Sequence, residues 1–169
     1  VHARELVHDQ AGVVRVADHQ LRQRRLAGID LALDAIAEID DDVRPDYVLV
    51  GAAPPDEDGR AYEAKLHEAV EQHGLADHVH YIGSLSRHAL AAQLRLVDIV
   101  LIPSHSETYG LVALEAAASG VPVVASAAGG LREAVVDGVT GTLLESREPA
   151  DWAATIAGIL RDPVLAERM

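Results

Sequence analysis

The sequence predicts an α/β fold built on a doubly wound parallel sheet of about six strands, and three observations carry that expectation. Short β-branched runs alternate with longer segments of helical period, the pattern of repeated βαβ units. The runs are apolar almost throughout rather than at alternate positions, as in strands covered by helices on both faces. Turn and capping residues mark their boundaries. With 169 residues, the chain is about one domain's worth.

In chain order, a strand at Gly12–Val16 precedes a helix at Asp30–Ile39, and a second strand at Tyr47–Gly51 runs into the loop GAAPPDEDG, Gly51–Gly59. The helix Arg60–His73 follows and is stopped by Gly74. Val79–Gly83 is the third strand, and Ser86 is placed to cap the helix Arg87–Val97. The fourth strand, Ile99–Pro103, leads through a polar turn into the helix Leu111–Ser119, which Gly120 and Pro122 terminate. Pro122–Ser126 is the fifth strand, Leu131–Val136 a short helix and Thr140–Leu144 a weaker sixth strand. A last long helix, Pro149–Leu160, ends at Asp162-Pro163.

Composition narrows the chemistry. Apolar residues make up 49% and charged residues 24%, an ordinary globular balance that excludes disordered and collagen-like classes. Fourteen basic against 27 acidic residues leave a net charge of −13, which disfavours broad nucleic-acid or anionic-membrane binding, so an anionic ligand must be held locally. Aromatic residues, at 3%, offer no platform for base stacking. No cysteine is present, which excludes disulfides, thiolate metal sites and thiol catalysis and fits a reducing compartment, the cytoplasm being the expected location. No apolar stretch approaches the roughly 18–20 residues of a membrane-spanning helix, and the opening VHARELVHDQ has the form of neither a signal nor a transit peptide. A start at Val1 rather than Met leads us to expect a piece of a longer polypeptide.

Several chemistries lack their signatures. His78 and His80 share a strand face by period two, but no third ligand follows at zinc spacing, so no metal is expected. Ser104, His105 and Ser106 do not form a G-x-S-x-G elbow. Gly51 is followed by Ala-Ala-Pro-Pro rather than a G-x-G-x-x-G fingerprint, so nicotinamide and flavin are not expected, and no cofactor is assigned.

Ligands of open α/β sheets bind beyond the carboxyl ends of the strands, where strand order reverses. The informative segment there is Asp98–Gly120, DIVLIPSHSETYGLVALEAAASG. A buried strand stops at Pro103, a polar turn runs to Gly110, and a helix opens beneath it. That helix's first amides have no intrahelical partner and the macrodipole is positive there, so Thr108–Val112 form an anion site that needs no lysine. Glu107 stands in the turn and Glu115 about two helical turns later, inside the apolar LVALEAAA. A carboxylate among alkyl groups requires donors, and the hydroxyl pair of a ribose supplies two side by side. The alternative is that Glu115 faces solvent and Glu107 decorates a turn.

The spacing Glu107-TYGLVAL-Glu115, followed by GVPVVAS, by Gly129-Gly130 and by EAVVDGVTGTLL, resembles the donor-binding half of family-four retaining glycosyltransferases of the GT-B fold. The likeness covers about Asp46–Arg161 and includes the order of strand, helix and turn. It implies that Glu107 contacts hydroxyls of the transferred sugar, Glu115 holds the nucleotide ribose, and Thr108, Tyr109, Gly110 and Leu111 bind the donor diphosphate or sugar through their amides. Ile82, Gly83 and Leu85 match the positions that read the base through backbone groups. Within the family, Ser104–Leu144 looks most like the inositol-phosphate N-acetylglucosaminyltransferases of mycothiol biosynthesis. The implied function is retaining transfer of N-acetylglucosamine from UDP-N-acetylglucosamine to inositol phosphate or a similar hydroxyl acceptor. An N-terminal domain absent from this chain would bind that acceptor, so the isolated chain is expected to be inactive.

The chain departs from the family in one region. An arginine after the first strand and a lysine before the first helix usually neutralise the donor diphosphate; here Ala17-Asp18-His19 follows the strand and Ala27 precedes Gly28. Arg22, Arg24 and Arg25 in that loop are candidate replacements, because guanidinium binds phosphate bidentately; the other reading is a solvated basic turn. Two rival functions follow: a non-catalytic nucleotide-sugar-binding or interaction module, and a glycosyltransferase using UDP-glucose or GDP-mannose.

Overall fold

The structure, a computed structural model, describes residues 14–17, 28–53 and 55–169. Six parallel strands form one sheet in the order β3-β2-β1-β4-β5-β6, with β1 Val14–Ala17, β2 Tyr47–Val50, β3 Val79–Tyr81, β4 Ile99–Ile102, β5 Val123–Ser126 and β6 Gly141–Leu144. Helices α1 Ile29–Glu38, α2 Glu57–Gln72, α3 Arg87–Leu94, α4 Leu111–Ala118, α5 Leu131–Ala134, α6 Pro149–Arg161 and α7 Pro163–Arg168 cover it. The expected doubly wound α/β class is the one observed.

Strand alternation sorts the core into two layers. Tyr47, Leu49, Ile99, Leu101 and Val124 face α1, α2 and α6, while Val48, Val100, Ile102, Val123 and Ala125 face α3, α4 and α5. Apolar side chains on both faces explain why β4 and β5 are buried at every position. Not every apolar run is central: β3 lies at one edge of the sheet and β6 at the other, and both are only partly buried.

Three helix boundaries lie two or three residues from the sequence expectation, and one helix, α7, was not expected. Helix α2 starts at Glu57 rather than Arg60, because the Asp56 carboxylate accepts from the Gly59 N–H and acids at Glu57 and Asp58 suit a helix start. Helix α3 ends at Leu94, since the chain turns at Arg95 to bring Val97 into the core before β4. Helix α5 stops at Ala134, where Val135 is extended and the Val136 N–H donates to Thr140 Oγ1 instead of continuing the helix. Asp162-Pro163 ends α6 as expected and also starts α7: Asp162 accepts from the Leu165 N–H, and Pro163 suits a first helical turn.

Trp152 of α6 is fully buried, and its Nε1–H donates to the Ser146 carbonyl at 2.9 Å. Trp152→Phe keeps most of the apolar contact and leaves that carbonyl without its donor. Chemical denaturation is expected to show a loss of about 1–2 kcal/mol.

Candidate functional site

Strand order reverses between β1 and β4, so the crevice of this sheet opens between the segments that follow those strands. Residues 18–27 after β1, including Arg22, Arg24, Arg25 and Ala27, lie outside the described residues. The segment after β4, Pro103 to Gly110, is described throughout.

Glu107 is folded back onto its own turn. Its Oε1 accepts from the amides of Thr108 at 2.9 Å, Tyr109 at 3.2 Å and Gly110 at 3.3 Å. Consecutive N–H groups converging on one oxygen make an anion-binding concavity at the positive end of α4. Three of the four amides singled out from the sequence, those of Thr108, Tyr109 and Gly110, therefore point at one carboxylate oxygen, and that oxygen belongs to Glu107. In this rotamer the carboxylate fills that concavity itself.

Glu115 lies on α4, whose Val112, Ala113 and Ala116 face the core while Leu111 and Leu114 are exposed. The side chain is half-buried, and its Oε2 is enclosed without a hydrogen-bond partner. Leaving such an oxygen unpaired costs about 1–3 kcal/mol, and more when it is ionised. Open solvent therefore does not surround this oxygen, and the apolar helix read from the sequence has stranded it.

The Gly129-Gly130 pair, at the start of α5, forms a wall of the site that sequence reading used only as part of the resemblance. The Gly130 N–H donates to the Glu107 carbonyl at 2.8 Å. A Cβ at Gly129, whose φ is +51°, would stand 2.1 Å from the Glu107 carbonyl oxygen, and one at Gly130 would stand 2.4 Å from that of Thr108. Only backbone fits between α5 and the turn. The available signal was positional: β5 and β4 are neighbours, so a glycine pair after one faces the turn after the other.

Arg147, also missed, follows β6 and reaches across the strand ends. Its Nη1 donates to the Pro103 carbonyl at 3.1 Å and to Ser126 Oγ at 3.3 Å. Its Nη2 lies 3.1 Å from His105 Nε2, and because arginine only donates, the imidazole accepts there. His105 is thus a support of this arginine.

Ile82, Gly83 and Leu85 follow β3, three strand spacings, or about 14 Å, from β4. The Ile82 N–H donates to the Leu49 carbonyl at 3.0 Å and the Gly83 carbonyl accepts from Gly51 at 2.8 Å, which fixes this segment to β2. Beside it, Tyr81 packs its ring against His67 with centroids 4.5 Å apart, and burial pushes its phenol pKa up. The phenol therefore stays protonated and a donor at neutral pH. At the other end of the strands, His78 and His80 flank Asp46, at 3.4 and 3.7 Å from its oxygens. No group of three metal-binding side chains occurs among the described residues.

Comparison with known proteins agrees with this architecture. Residues 20–169 match the family described as glycosyl transferases group 1. A D-inositol 3-phosphate glycosyltransferase of Geodermatophilus obscurus is 42% identical over 144 residues, which are 82% of this chain and 32% of that protein. Among solved structures, the sucrose-phosphate synthase of Thermosynechococcus elongatus superposes with a TM-score of 0.87 at 31% identity, covering 98% of this chain and 40% of that one. Anabaena HepE, solved in complex with UDP and glucose, gives a TM-score of 0.80 at 28% identity, covering 94% of this chain and 42% of that one. The chain spans about a third of the length of the curated relatives it matches. No described helix is long and apolar enough to cross a membrane. A family match over most of the sequence, the parallel sheet that carries it and the shared fold of these enzymes lead to one conclusion: this chain belongs to the group 1 glycosyl transferases.

Proposed function

We propose that this chain is the donor-binding, C-terminal half of a retaining glycosyltransferase that moves N-acetylglucosamine from UDP-N-acetylglucosamine to inositol phosphate or a similar hydroxyl acceptor. The observation that carries this reading is the enclosed, unpartnered Oε2 of Glu115, an acceptor awaiting hydroxyl donors. A ribose diol supplies them. With the ribose held at α4, the base lies toward β3, where Ile82, Gly83 and Leu85 present backbone groups. The diphosphate lies at the amides of Thr108 to Leu111.

Glu107 has two states in this scheme. Without donor it fills its own amide concavity; with donor, the sugar diphosphate displaces it, and the freed carboxylate accepts from hexose hydroxyls. Amides aimed at the departing diphosphate stabilise the charge that develops as the glycosidic bond breaks. The acceptor site lies in the part of the polypeptide beyond this chain, and the cytoplasm is the proposed location.

Calorimetry with UDP, UDP-N-acetylglucosamine, UDP-glucose and GDP-mannose tests the reading. The chain is expected to prefer UDP-N-acetylglucosamine over UDP, and Glu107→Ala to reduce that preference roughly tenfold while leaving UDP itself bound. No binding of any of the four at millimolar ligand overturns the proposal in favour of a non-catalytic module, and preference for another sugar nucleotide replaces the donor.

A further inference from the structure

The described half-buried arginines are Arg44 and Arg147. Arg44 pairs with Asp41, and the exposed Arg132 and Arg161 pair with Glu145 and Asp40. Arg147 meets no carboxylate among the described residues, in a chain where acidic residues outnumber basic ones 27 to 14. Its partners are a carbonyl, a hydroxyl and an imidazole nitrogen, none of which carries a negative charge. A cation withdrawn from water on these terms is poised for an anion.

Its place in the fold says which anion. The guanidinium lies where the start of α1 meets the end of β4: a Cβ on Gly28 would stand 3.1 Å from Nη2 and 1.9 Å from the Pro103 carbonyl oxygen. This is the side of β4 on which the crevice opens. Nη1 meets two acceptors, Pro103 and Ser126, and Nη2 meets one, His105. The Nε–H, and one of the two hydrogens on Nη2, have no partner among the described residues.

We propose that Arg147 binds the terminal phosphate of the nucleoside diphosphate through those unpartnered donors, held in place by Pro103, Ser126 and His105. The proposal rests on the donor reading above and assigns its local positive charge to a residue after β6. Glycine at position 28 leaves room beside this arginine, since a Cβ there would strike the Pro103 carbonyl that anchors the guanidinium and crowd Nη2 itself.

The test is calorimetry with UDP and UMP on the wild-type chain, Arg147→Gln and Arg147→Lys. Arg147→Gln is expected to weaken UDP binding about tenfold to a hundredfold and UMP binding far less, so that the UDP-to-UMP preference collapses. Arg147→Lys keeps the charge without the fork and is expected to fall between the two. A lower Tm with an unchanged preference identifies Arg147 as a clamp of the strand ends and overturns the proposal, and if Arg147→Gln does not fold, an unchanged preference in Arg147→Lys does the same. Failure of the wild-type chain to bind UDP removes the donor reading itself, whereas retained UDP binding with an unchanged preference removes only the role of Arg147.

Discussion

Glu115→Leu is expected to yield a chain that melts at a higher temperature than wild type and binds UDP at least about a hundredfold more weakly. Both effects come from one oxygen. Glu115 Oε2 is enclosed with nothing to accept from, so the folded state carries its desolvation cost and gains no bond in return. Leucine has similar bulk, suits the surrounding LVALEAAA helix and removes that cost, worth about 1–2 kcal/mol, or a few degrees in Tm. With ligand the sign reverses, because the wild-type carboxylate gains two charge-assisted bonds that leucine cannot form. A site that stabilises its ligand at the expense of the empty fold gives this opposition of stability and binding. Thermal melts with and without UDP check it; a Glu115→Leu chain that is less stable and still binds UDP would show the carboxylate to be structural.

Gly129→Ala is expected to destabilise the fold and the site together. Its Cβ would come to 2.1 Å from the Glu107 carbonyl oxygen, a backbone atom that no rotamer change can move, and its φ of +51° adds the cost of a left-handed non-glycine residue. The two together cost about 2–4 kcal/mol. The strain is relieved only by moving the Glu107–Gly110 turn away from α5, which opens the hydrogen bond from Gly130 to Glu107 and spreads the three amides that now converge. Denaturant unfolding reads the stability loss, and titration with UDP is expected to show a matching loss of affinity. Gly138→Ala is the control, since no atom lies within 4 Å of the added Cβ although φ there is +74°; it should carry the conformational cost alone and leave UDP binding intact.

Most of the fold was legible because parallel strands buried on both faces leave unbroken apolar runs, and β4 and β5 are the plainest cases. Helix ends read less well, since several are set by single side-chain bonds. The Asp56 cap of α2, the Asp162 cap of α7 and the Thr140 bond that ends α5 each depend on a rotamer that periodicity does not report. In the site, Glu107 and Glu115 stood out as acids at a polar turn and within an apolar helix. Arg147 did not, because it lies 44 residues along the chain from the Pro103 carbonyl it serves and only the sheet order brings them together. The glycine pair was visible as a motif, but its purpose, close backbone approach to Glu107 and Thr108, is a three-dimensional fact.

The central claim is that the stranded oxygen of Glu115 takes the hydroxyl pair of a ribose, and comparing UDP with 2′,3′-dideoxy-UDP isolates it. Wild type is expected to favour UDP by about tenfold to a hundredfold, and Glu115→Leu to bind both analogues equally weakly. Equal affinity of the wild-type chain for the two nucleotides, or a preference for UDP that survives Glu115→Leu, would contradict the account.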